Sequence, residues 1–132
     1  MSAKIEVRYT DNKAVKGRGD AYTNVYVDVS RILESWRMSL FSHEWLLPDG
    51  RIKDLKELPA SEQVKRQSVE LALANGQNIN KPVLGIGLLE NVEIGTGKAE
   101  FLTLAALGHT KIPVHIPKSN ETDFKEYVSQ VE

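Results

Sequence analysis

The chain has 132 residues, with 17 Lys and Arg against 18 Asp and Glu and a formal charge of −1. That length suits one domain burying roughly 65–70% of the surface its unfolded form exposes, and the balanced charge removes any global pull toward nucleic acid or anionic membrane. Without a single cysteine, disulfides, thiolate zinc sites and cysteine nucleophiles are excluded.

The opening residues alternate charged and apolar side chains instead of forming an apolar run, and no stretch approaches the ~20 apolar residues of a membrane helix. A soluble cytoplasmic protein with no membrane partner is expected. Lys4-Ile5-Glu6-Val7-Arg8-Tyr9 alternates strictly, as a half-exposed edge strand does. Residues 11–20 bring Lys13, Lys16 and Arg18 together with two glycines. This predicts a mobile basic loop and makes those cations the candidates for contact with a nucleic-acid backbone. The strand expected next, residues 22–29, places Val25, Val27 and Val29 on one face.

Ser30 is the expected cap of a helix over residues 30–37, with Ile32, Leu33 and Trp36 as its apolar stripe. Between residues 38 and 50 the pattern blurs. Leu40, Phe41, Trp45, Leu46 and Leu47 are too dense for a solvated loop, and Pro48-Asp49-Gly50 marks a turn. The segment reads as buried irregular chain or as a partner surface, with Trp36, Phe41 and Trp45 as candidates for a protein or homodimer contact. Ser42-His43-Glu44 holds the residue types of a hydrolytic triad, but adjacent residues do not converge as one.

Ser61, with Glu62 in the first turn, opens a helix in which Val64, Ser68, Leu71 and Ala72 recur up to Gly76. Pro82 precedes a strand over residues 83–88, and Glu90-Asn91 turns the chain into Val92-Glu93-Ile94, an expected hairpin. Gly95-Thr96-Gly97-Lys98 feeds a helix over residues 97–107 that buries Phe101, Leu104 and Ala105, with Gly108 as a left-handed stop. Ile112, Val114 and Ile116 alternate in the last strand, leaving His115 outside. Asn120 or Thr122 opens an expected final helix, with Phe124, Tyr127, Val128 and Val131 inward. Together these elements make a single α+β domain over residues 1–132, a small mixed sheet with three to four helices.

A glycine turn feeding a helix leaves amides unpaired beside the positive end of the helix dipole, which is what an anion site requires. Thr96 and Lys98 stand ready to bond and neutralise a phosphate, and His109 follows the same helix. This is not a P-loop, which needs Gly at position 92 and Ser or Thr at 99, where Val92 and Ala99 stand. Glu93 and Glu100 offer a magnesium ion two carboxylates without a third ligand. His43, His109 and His115 lack the four-residue helical spacing of a zinc site, so no resident metal is expected.

Hydrophobic strand, glycine turn, helix, Gly108 and the Ile112-Pro113-Val114 strand follow one another in the order of the ParB/sulfiredoxin-like superfamily, which the chain resembles over residues 25–116. The resemblance implies that fold, and a nucleotide whose phosphates lie at Thr96, Gly97 and Lys98. The chain departs from it at Glu100, where relatives carry an arginine: a carboxylate repels a triphosphate unless a cation such as magnesium bridges them. The family's peroxide-repair activity needs a cysteine this chain lacks. The stretch after Ile116 is too short for the helix-turn-helix of full partition proteins. The resemblance thus implies a stand-alone ParB-like domain, a DNA-associated accessory or regulatory protein of a plasmid, phage or similar element. One alternative is a phosphate-handling enzyme, nuclease-like or a small-molecule kinase, using Glu93 or Glu100 as acid, base or metal ligand. The other is a non-catalytic protein-interaction module.

Overall fold

The computed structural model describes residues 7–129. Its first strand, β1 (Tyr9–Thr10), is short and pairs in parallel with β3 (Ile79–Asn80) to form a separate two-stranded sheet. Ile5 of the strand expected there, and Val131 of the expected last helix, lie outside the described residues. Residues 11–20, expected to be a mobile loop, form successive tight turns closed by amide bonds such as Val15 to Asn12 (3.0 Å) and Arg18 to Val15 (2.8 Å). Val15 is buried beneath them.

β2 (Tyr22–Asp28) passes into α1 (Val29–Trp36) with no intervening loop. Asp28 keeps extended angles while its carboxylate accepts from the amides of Ser30 (3.1 Å) and Arg31 (3.4 Å). The cap is therefore Asp28 instead of Ser30. The strand ends at the aspartate, so its carboxylate is the first side-chain acceptor within reach of the free amides, and the Ser30 hydroxyl donates to it at 2.9 Å.

The main sheet has the order β2, β6 (Lys111–Pro117), β4 (Val83–Ile86), β5 (Val92–Thr96). β6 lies antiparallel to β2, with Val27 opposite Ile112, and parallel to β4, with His115 opposite Val83. β4 and β5 form the expected hairpin, Leu84 facing Ile94. α2 (Ala60–Ala74) packs on α3 (Lys98–Ala106), which links β5 to β6. The described fold is thus α+β, with three helices and mixed sheets of two and four strands. Ile32 and Trp36 of α1, Leu102 and Leu104 of α3, and Ile112 and Val114 of β6 meet in the core. No helix among the described residues is long and apolar enough to cross a membrane.

The expectations for α2, for His115 and for the segment after Asn120 are corrected. On α2 the buried positions are Glu62, Val69 and Leu73, while Val64 and Leu71 face out. The helix begins at Ala60 after Pro59, without a side-chain cap from Ser61, and its inner stripe is set by the buried Glu62 instead of by apolar residues alone. His115, expected outside, is only 2% exposed. β6 is buried on both faces from Ile112 to Ile116, and the segment after β1 lies over the face to which His115 alternates. The segment after Asn120 forms turns instead of a helix, because Val128 is drawn into an antiparallel bridge with Val27 and the Ser129 amide bonds Tyr26 O at 2.8 Å. A helix there would forfeit the cover this segment gives to the outer edge of β2.

Candidate functional site

β5 ends at Thr96, and Gly97 alone separates it from α3. That one-residue junction requires left-handed backbone, φ +80°, which glycine adopts without steric cost. A Cβ at Gly97 would also stand 2.9 Å from Pro82 Cα, so the glycine is fixed by packing as well as by conformation. No side chain caps α3, and the amides of Lys98, Ala99 and Glu100 have no intrahelical acceptor.

These residues form one wall of an open cleft of about 740 Å³. The opposite wall is Val64, Lys65 and Ser68 of α2 with Phe41 from a short 3-10 helix (Leu40–Glu44), and Trp36 and Ile94 contribute apolar surface. The cleft also lies along the outer side of β5, beyond which no strand is paired among the described residues. The Val92 amide, turned away from β4, donates to Ser35 Oγ at 2.8 Å. By the two-residue alternation of a strand, the backbone groups of Ile94 face the same outer side.

The charges around the cleft are mostly committed to one another. Lys98 Nζ lies 3.3 Å from Glu44 Oε1 and 3.5 Å from Glu62 Oε1. Lys65 Nζ is 3.1 Å from Glu62 Oε2, and Trp45 Nε1–H donates to Glu62 Oε1 at 2.8 Å. Burial pushes the Glu62 carboxyl up, but the bonds from Trp45 and Lys65 and the nearby lysine charges outweigh it and hold the group below its ordinary value. Glu93 accepts from Ser39 Oγ (2.7 Å) and Asn91 Nδ2 (3.0 Å). No cluster of three or more metal-binding side chains occurs among the described residues, and Glu93 already has two donors.

Thr96, Gly97, Lys98 and Glu100 all line the cleft, as the turn leads one to expect, but Lys98 points to carboxylates. His109 follows the far end of α3, about 14 Å of helix from Gly97. Trp36 and Trp45 are buried, leaving Phe41 as the exposed member of the aromatic group, 68% accessible beside Leu40 at 82%. Lys13, Lys16 and Arg18 are exposed, with the Arg18 guanidinium 5.8 Å from the centre of the Tyr22 ring. Sequence reasoning missed the link between this basic segment and the cleft: Asn12 Nδ2 donates to Thr96 Oγ1 at 2.8 Å. The two residues stand 84 positions apart, and no local pattern announces such a pair.

Comparison with family models, curated proteins and solved structures finds no match to this chain.

Proposed function

We propose that the chain is a non-catalytic binding domain that holds an extended segment of a partner protein in the cleft beside β5. The observation that carries this reading is the exposure of Phe41 and Val64 in a cleft along an edge of β5 that pairs with no further strand among the described residues. Strand edges offer backbone bonds to an added strand, and apolar pockets beside them select its side chains. The commitment of Lys65 and Lys98 to Glu44 and Glu62 argues in the same direction, since it removes the cations a polyphosphate needs.

A second reading keeps the ParB-like resemblance: a DNA-associated accessory domain with a nucleotide phosphate on the first turn of α3. The uncapped amides of residues 98–100 favour it, and Glu100 at the cleft wall opposes it.

Both are tested by displaying random peptides to the protein and titrating the enriched sequences calorimetrically into wild type, Phe41→Asp and Val64→Asp, beside thermal unfolding with CTP or ATP and magnesium. Both replaced side chains are exposed, so the fold tolerates the changes. Losing burial of a Phe or Val side chain weakens binding by about tenfold or more. Enriched peptides that bind the variants as tightly as wild type overturn the peptide reading. A nucleotide-dependent rise in midpoint establishes the second.

A further inference from the structure

His115 holds Asn12, which joins three parts of the chain next to Thr96 of the cleft. Its Nε2 accepts the Asn12 amide at 3.1 Å, so the ring is neutral and carries its proton on Nδ1. Asn12 is itself buried, and its side chain donates to Lys81 O (2.9 Å) and Thr96 Oγ1 (2.8 Å) while accepting from the Ala14 amide (2.9 Å). One asparagine thereby ties the basic segment to β6, to the β3–β4 connection and to the last residue of β5. Asp11 Oδ1 stands 3.8 Å from the same His115 nitrogen, with Lys81 Nζ 3.4 Å from that oxygen. The neighbours opposite His115 on β2 and β4 are Asn24 and Val83, which carry no charge.

We propose that His115 is a pH-dependent latch: the neutral ring holds Asn12, and with it residues 12–18, against Thr96, whereas the protonated ring donates to Asp11 and releases Asn12. The two arrangements exclude one another, because a protonated Nε2 and the Asn12 amide are both donors. The inference rests on the peptide-binding reading for its consequence, a loosened end of β5 beside the cleft. Burial holds the ring below its ordinary value of 6.5, with Asp11 drawing it up and Lys81 pushing it down. Since the folded value is the lower one, the stability contributed by the neutral ring is complete above 6.5 and is lost as pH falls from there toward the folded value.

Amide exchange followed by NMR on the protein alone tests the latch without any partner. Between about pH 7.5 and about pH 5, protection at Asn12 and Ala14, corrected for intrinsic rates, is expected to fall about tenfold or more. His115→Gln supplies an acceptor that does not titrate, and there the protection is expected to stay constant. Unchanged protection in wild type, or an equal fall in His115→Gln, overturns the latch. Should the variant not fold, wild type still decides: the ring proton shifts and the Asn12 protection must share one midpoint, and separate midpoints overturn the proposal. A latch that responds while no peptide binds would refute only the binding reading.

Discussion

Removing the Glu62 carboxylate tests whether the charged group under the cleft is structural. Glu62 is 4% exposed and accepts the indole N–H of the fully buried Trp45 at 2.8 Å. Glu62→Ala leaves that donor without its acceptor, a loss of about 1–3 kcal/mol for a buried polar group. It also leaves Lys65 without its carboxylate and Lys98 with Glu44 alone, partly exposed pairs that add about 0–1 kcal/mol. The expected total is about 1–4 kcal/mol, the middle of which lowers the melting midpoint of a domain this size by about 10 °C. Calorimetry measures the shift, and tryptophan fluorescence in a Trp36→Phe background reports on Trp45. The cycle with Trp45→Phe isolates the indole bond: in that background the cost of Glu62→Ala should shrink by about 1–2 kcal/mol. Because the folded carboxyl titrates below its ordinary 4.5, its contribution is present above that pH and disappears as pH falls through the lower folded value. A cost that is the same with tryptophan or phenylalanine at position 45 would refute the reasoning.

Gly97→Ala puts a Cβ 2.9 Å from Pro82 Cα and forces a side chain into φ +80°. Denaturant unfolding should show a loss of about 1–3 kcal/mol, and larger substitutions there test the fold before they test any ligand. Thr103→Val is expected to raise stability by about 1 kcal/mol, read as a higher urea midpoint at unchanged slope. The Thr103 hydroxyl is fully buried and has no hydrogen-bond partner among the described residues, and valine keeps its shape.

What the sequence disclosed and what it concealed divide along the range of the forces involved. The β4–β5 hairpin, α3 with its left-handed Gly108 (φ +97°), and the strand that buries Ile112, Val114 and Ile116 were legible because neighbouring residues determine them. Asp28 shows the limit of boundary reading, since strand and helix share the residue that ends one and caps the other. α2 misled because Val64 and Leu71 recur at helical spacing yet face out, while a glutamate faces in. Its partners Trp45 and Lys98 lie outside the helix, and no window on α2 contains them. His115 reads as an outward residue on any two-residue pattern, and no such pattern announces the crossing of residues 11–12 over the sheet, which brings Asn12 onto its ring. The Gly95–Lys98 turn was found for a sound local reason, whereas the pairing of Lys98 with Glu44, 54 positions away, changed what the turn offers a ligand.

The placement of β6 governs how this protein comes into being. It is the last strand along the described chain, yet it lies between β2 and β4, joining Val27 to Ile112 and Val83 to His115. During synthesis the β2–α1 unit and the β4–β5 hairpin leave the ribosome before the strand that pairs with both, so each has a backbone edge without its final partner. Only when residue 117 has emerged can the middle strand enter and close the sheet. Non-local closure of this kind is slow, and waiting edges recruit one another.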